Sequence, residues 1–371
     1  MFGFSQSIVD STFNNFLSET FSISDWQRGL LELPRELPGF LVVFFSALFF
    51  FLCSRRLAVL ANLLCAFGIL LIGFASSGFS VMLVWLFMFS VGQHLFLPLN
   101  ASIGMELAVK GREGRRLGQF AATANVAMIL GSFSVFLGFK FFHVTFSISY
   151  GVAFFGFLAA AALLFGMRKN QPDTARARFQ LRREYRLFYW LNILYGTRKQ
   201  IFLTFAPWVL VTVFSQKTQM LATLLTVGGV IGIFFKPLVG RAIDRLGERI
   251  VLAGEAALLV FVCVGYGYSR EWFSEATALV VASACFIADQ LLLSTGMARA
   301  TYLQKIAVRP EDVTQTLTMG VTIDHIFSIA VALSGGIIWV ALGYQYVFLL
   351  GAAIAVVNFF SALQVRTRNS T

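Results

Sequence analysis

Asp10 and Asn14 stand inside an apolar run near the amino terminus, His94 inside another, and Arg198, Lys199 and Gln200 side by side in a third. Asp289 interrupts a further run, and Asp324 with His325 another. Asn192, Tyr195 and Lys199 are spaced by three and then four residues, which places them on one face of a helix. A cation of this kind in an apolar helix can hold an anionic group of a solute, and an arginine can do so bidentately. Asp10 or Asp289 can serve as a protonatable partner, or as the counter-ion that neutralises Arg198 and Lys199. His94 titrates in a useful range if it faces water, and otherwise is a hydrogen-bonded packing element. Asp324 and His325 point about 100° apart on a helix, so one can face a cavity while the other pairs elsewhere; gating and proton passage are the roles open to them.

Other chemistries find no support in the sequence. There is no phosphate-binding loop of the G-x-x-x-x-G-K-S/T type, so ATP is not expected to drive the process. No serine or cysteine triad has a recognisable setting, and His94, His143 and His325 do not form a metal-ligand pattern. Cys53, Cys65, Cys263 and Cys285 lie in or at the ends of apolar runs and read as small core hydrophobes. No enzyme, cofactor or metal is expected.

The elements that must position these residues are membrane helices. The chain has 371 residues, 58% of them hydrophobic and 13% charged, with a mean hydropathy of +0.77. Lipid-facing helices require such an excess, each needing about 20 mostly apolar residues. The runs do not alternate as β-barrel strands would. The apolar runs predict spans at 2–21, 38–52, 57–74, 79–107, 120–139 and 145–167, then at 187–214, 220–239, 250–268, 276–302, 317–342 and 346–365. The first is the most polar, with Ser7, Asp10, Asn14 and Ser18 along one face. The result is an all-α membrane protein of twelve spans. Two six-helix bundles, 1–167 and 187–371, are joined by a basic linker at 168–186. Glu32, Arg35 and Glu36 form a charged cluster before the second span, and Lys236-Pro237 is expected to end or kink the eighth.

The net charge of +11 is not a nucleic-acid signature, because the basic residues sit in short connections. With both termini cytoplasmic, 21 of the 29 Lys and Arg fall on the cytoplasmic side, as the positive-inside rule requires. On that side the Asn369-Ser370-Thr371 triplet is inert as a glycosylation sequon. No basic stretch precedes the first apolar run, so no cleavable leader is expected. The halves show weak internal similarity: 107–113 parallels 306–312, which pairs Asn125 with Asp324, and 12–16 parallels 197–201.

Between the eighth and ninth spans lies Gly240-Arg241-Ala242-Ile243-Asp244-Arg245-Leu246-Gly247-Glu248-Arg249, with the spacing G-x-x-x-D-R-x-G-x-R. It resembles the signature loop of the major facilitator superfamily, a large family of secondary transporters. The glycines are expected to let the two helices turn back tightly. Gly240, Asp244, Arg245, Gly247 and Arg249 are the gating-motif candidates. The corresponding first-half stretch, Ser46 to Arg56, keeps only its terminal arginine pair, with Phe50 and Phe51 where Asp and Arg would stand. The fifth span also lacks the Gly-Pro pattern common in the family's drug–proton antiporters.

The resemblance implies the superfamily fold and transport by alternating access. It also implies that the first, fourth, seventh and tenth spans surround a central cavity. That arrangement would gather Asp10, Asn14, His94, Asn192, Tyr195, Arg198, Lys199, Gln200 and Asp289 around one solute path. Asp10, Asp289, Asp324 and His325 are the proton-coupling candidates. The expected function is secondary transport of a small solute, proton-coupled, with a slight preference for an anionic organic metabolite. Efflux of hydrophobic drugs is the alternative, and a non-transporting membrane sensor or assembly partner is a second one. The expected partners are the lipid bilayer, a small-molecule substrate and protons, with no nucleic acid. A monomer in a plasma membrane, the inner membrane of a bacterium, is the expected setting.

Overall fold

The computed structural model describes residues 1–49, 51–107, 113–168 and 181–366. The first-half motif position Phe50, the 108–112 connection, most of the basic linker and the carboxyl-terminal triplet lie outside the described residues. The described residues form helices α1 (Phe2–Phe16), α2 (Asp25–Leu30), α3 (Glu32–Leu48), α4 (Ser54–Phe74), α5 (Phe79–Glu106), α6 (Glu113–Phe141) and α7 (Phe146–Gly166). They continue as α8 (Arg186–Thr212), α9 (Thr218–Leu246), α10 (Glu248–Trp272), α11 (Glu275–Leu292), α12 (Gly296–Ile306), α13 (Pro310–Leu342) and α14 (Tyr344–Ala362). Nine helical stretches among the described residues are long and apolar enough to cross a membrane. The remaining expected spans fall on α1, on α3 and on α8, which carries Asn192, Arg198, Lys199 and Gln200.

Two spans are built less simply than their apolar runs predict. The first is α1 followed by a π-helical turn at Leu17–Phe21. The tenth is broken: α11 ends at Leu292, a 3₁₀ turn covers Leu293–Thr295, and α12 resumes at Gly296. Ser294 and Thr295 donate their hydroxyls back to the Leu291 and Leu292 carbonyls, at 2.6 and 2.7 Å, which satisfies acceptors at the break.

The chain forms two compact units. The first comprises Met1–Ile23, Pro34–Arg176 and Ser215–Gly229. Inside it α4 packs on α5 and α7, and α1 packs on α6 and α7. Ala58, Ala61, Val91, Leu95, Phe96 and Ile103 form the α4–α5 core; small residues on one face let helices approach closely in lipid. Ser7 donates to the Met128 carbonyl at 2.6 Å and lies 3.0 Å from Ser132, so this part of the polar stripe of α1 is used in packing on α6. Asn15 of α1 donates to the Gln216 carbonyl at 3.0 Å. The two arginines retained in the first-half motif stitch helix ends together. Arg55 donates to the Arg168 carbonyl and pairs with Glu106, each at 2.7 Å. Arg56 donates to the Phe165 carbonyl at 2.7 Å and lies over the Phe165 ring.

The second unit comprises Ser24–Leu33, Ala177–Phe214 and Val230–Thr371. Its helix α2 opens on a capping box, Ser24 with Gln27. It packs on α13 and α8, and Trp208 donates to Asp25 at 2.7 Å. The buried Arg28 and Glu32 pair at 2.6 Å. At the opposite end of α8, Tyr185 donates to Asp312 at 2.8 Å and accepts from the Val308 amide at 3.0 Å, and Arg182 pairs with Asp312 at 2.9 Å. Burial pushes the Tyr185 phenol above its ordinary value. Tyr185, Phe188, Leu191, Ile243, Leu252 and Tyr302 form the core at this end. Phe234 and Phe261 are 70% and 74% exposed, as side chains facing lipid would be.

The glycine-punctuated segment departs from the expected loop. Residues 240–246 are the last turns of α9, which runs unbroken through Pro237 and does not end there. The link to α10 is Gly247 alone, whose φ of 81° and ψ of 163° suit only glycine. The apolar run ends at 239 because the sequence turns charged there, while the backbone stays helical.

Candidate functional site

The candidate residues divide between the units. Asp10, Asn14 and His94 belong to the first; all the others belong to the second. In the first unit Gln6 donates to Asp10 at 2.9 Å across one turn of α1. Asn14 is buried. His94 Nδ1 lies 3.0 Å from both the hydroxyl and the carbonyl of Ser90, one turn earlier on α5. Ser90 in turn donates to the Arg35 carbonyl.

In the second unit, α8 divides its polar residues between two environments. Arg198 and Gln200 are 2% and 1% exposed. Gln200 donates to Glu32 at 3.1 Å and to Thr204 at 3.0 Å, a bracing role inside the bundle. Arg198 pairs through Nη1 with Asp289 of α11, and its Nη2 lies 4.0 Å from Glu255 of α10. Glu255 is in turn 3.7 Å from Arg299 of α12. Arg299 lies over the Tyr195 ring, its Cζ 3.4 Å from the centroid. Neither carboxylate oxygen of Glu255 makes a hydrogen bond among the described residues, and the same holds for Asp289 Oδ2 and for Nη2 of both arginines.

Lys199 points elsewhere. Its Nζ lies 2.7 Å from Asp324 Oδ2 of α13, and the two side chains are 20% and 15% exposed. Asp324 sits against Gly196, where any side chain on α8 would occupy the position of its carboxylate. Gly196 thus makes room for the pair. Asn192 lies one helical turn below and packs against Gly320 of α13. The Tyr195 hydroxyl is 3.4 Å from the Leu293 carbonyl, at the break between α11 and α12. Lys199 and Arg198 lie 5.8 and 5.7 Å from the Tyr195 centroid, so three cations surround one ring. His325 follows Asp324 on α13 and is partly buried.

The geometry therefore separates what the sequence lists together. Arg198, Asp289 and Gln200 are enclosed in the helix bundle, whereas Lys199, Asp324, Tyr195 and Asn192 form a partly accessible polar face. Asp244, Arg245 and Arg249 are exposed and make no ion pair among the described residues. Glu255 and Arg299 were not among the expected site residues. Glu255 is a lone carboxylate in the 250–268 run, the signal that marks Asp289. Arg299 reads as a cytoplasmic-side charge until the helix break places it against Tyr195.

Residues 1–321 match the sequence profile described as the Major Facilitator Superfamily. A search of curated protein sequences finds no match. Among solved structures, a point mutant of the nucleoside transporter NupG is similar with a TM-score of 0.78 at 12% identity, over 98% of each chain. A D-xylose-proton symporter is similar with a TM-score of 0.72 at 14% identity, over 98% of this chain and 94% of that one. A POT family transporter in complex with 5-aminolevulinic acid gives 0.73 at 11% identity, over 97% and 92%. At these identities the likeness is one of fold.

Proposed function

Since the chain belongs to the major facilitator superfamily, we propose that it is a secondary transporter whose solute carries an anionic group received by Lys199. The carrying observation is the Lys199–Asp324 pair, 2.7 Å apart and partly exposed on the same helix face as Asn192 and Tyr195. An ammonium held by one carboxylate can be taken over by another of similar geometry. Arg198 and Arg299 are too enclosed to receive a solute and are committed to Asp289 and Glu255. A solute group on Lys199 releases Asp324, whose charge then needs a proton, because an unpaired carboxylate in a membrane helix is costly. This is the route by which solute and proton are linked. A symporter of D-xylose and protons is among the proteins of similar fold.

The test is uptake into proteoliposomes. The expected result is accumulation of carboxylate probes driven by an inward proton gradient, collapsed by an uncoupler and lost in Lys199→Gln. Equal uptake by Lys199→Gln would exclude the Lys199 site. Uptake indifferent to the proton gradient would exclude the coupling.

A further inference from the structure

The charges around Tyr195 balance. Among the described residues, α8 and α12 contribute Arg198, Lys199 and Arg299. Against them stand Asp289 of α11, Glu255 of α10 and Asp324 of α13, each within 4.0 Å of one of the cations. Three positive and three negative charges thus share one region of the second unit, with the ring of Tyr195 between the cations.

Only one of these pairs is open to exchange. Arg198, Asp289, Glu255 and Arg299 are each at most 3% exposed. They form a neutral quartet that a solute does not reach, and its five atoms without hydrogen bonds mark it as already short of donors and acceptors. Such a quartet has no spare charge to lend. The titratable and charged groups near Asp324 among the described residues of this unit are the following. Facing it from α8 is Lys199, and beside it on α13 stand His325 and Ser328. Of the other helices packed on α13, α2 holds Arg28 on Glu32 and Asp25 on Trp208. Helix α12 holds Arg299 on Glu255 and Lys305 on Glu248, and α14 carries no charged residue.

From this balance we infer that the site accepts a monoanion together with one proton, so that the loaded network is as neutral as the empty one and each transfer moves no net charge. The inference rests on the Lys199 reading above and names its substrate class. The exchange conserves charge: the ammonium of Lys199 leaves the Asp324 carboxylate for the solute anion, and Asp324 takes a proton from water. A dianion at the same place leaves one negative charge uncompensated. At the cost of an unpaired charge inside a membrane helix, that lowers affinity by about a hundredfold.

The experiment uses the full chain in liposomes, with radiolabelled lactate and benzoate as monoanions and succinate as a dianion. Lactate or benzoate uptake should follow an imposed proton gradient and stay unchanged when a potassium–valinomycin potential of either sign is applied. Succinate uptake at neutral pH should be weaker by about a hundredfold. In Glu255→Gln the network gains one positive charge, so monoanion uptake should lose its dependence on the proton gradient. Melting of the purified variant shows whether it folds, and the wild-type voltage measurement stands without it. Lys199-dependent uptake that responds to voltage, or that prefers succinate, overturns this inference and leaves the anion site intact. Uptake of none of the three probes, or uptake unchanged in Lys199→Gln, overturns the anion site and this inference with it.

Discussion

Lys199 and Arg198 are adjacent in the chain and about 100° apart on α8, and that rotation gives them different work. Arg198 is enclosed with Asp289, so removing one partner strands a buried charge; such a loss costs about 3–5 kcal/mol. Asp289→Asn should therefore lower the melting temperature of the purified protein sharply. Asp324→Asn breaks a pair that is partly exposed and can reach water, so it should lower the melting temperature less than Asp289→Asn does. If the two variants melt alike, the division between an enclosed and an accessible pair is wrong. Gly196→Ala is the sharper probe of the site, because the added methyl meets the Asp324 carboxylate directly. It should abolish Lys199-dependent uptake as fully as Lys199→Gln while leaving the Arg198–Asp289 pair in place. That Lys199, Asp289 and Asp324 need partners was visible in the sequence, because charges inside apolar runs demand a reason. Which of them face one another was not, since helical spacing fixes direction only within one helix.

At the level of elements, the apolar runs locate the helices well and their ends poorly. The signature segment shows why. Its charged residues end the hydrophobic pattern at 239, yet Ala242, Ile243 and Leu246 remain good helix formers and Gly240 makes no demand of its own. Only Gly247 breaks the helix, at backbone angles that other residues adopt at a cost of about 1–3 kcal/mol. Gly247→Ala should destabilise the protein by that order in thermal unfolding, and Gly240→Ala should not. A comparable loss from both would mean that the turn is longer than one residue. The breaks at Leu17–Phe21 and Leu293–Thr295 were hidden for a different reason. Both sequences are ordinary helix formers, and only the hydrogen bonds of the folded chain reveal the change of pitch.

At the scale of the whole molecule, composition alone carried the membrane assignment, because no arrangement in water covers so many exposed side chains such as Phe234 and Phe261. The family likewise was legible in one ten-residue segment. Grouping into compact units was less so. The short helix α2 belongs with α8 and α13, and Ser215–Gly229 belongs with the first unit, although neither stretch announces this in its residues. Orientation rests on the distribution of Lys and Arg, and predicts that the α9–α10 turn faces the cytoplasm. In a variant without the four native cysteines, a cysteine at Arg245 should react with a membrane-impermeant maleimide only after the membrane is opened. One at Ser274, in the α10–α11 turn, should react in intact cells. The reverse pattern would invert the topology.

The joint at Gly247 has a mechanical consequence. Two helices connected through a single residue have no loop between them, so a change in the backbone angles of Gly247 swings the start of α10 directly against the end of α9. Glu255 lies seven residues beyond Glu248, about 10 Å along the axis of α10 at 1.5 Å per residue. Arg241 and Arg245 on α9 and the carboxylate beside Arg198 and Arg299 on α10 thus sit on two arms that meet at Gly247.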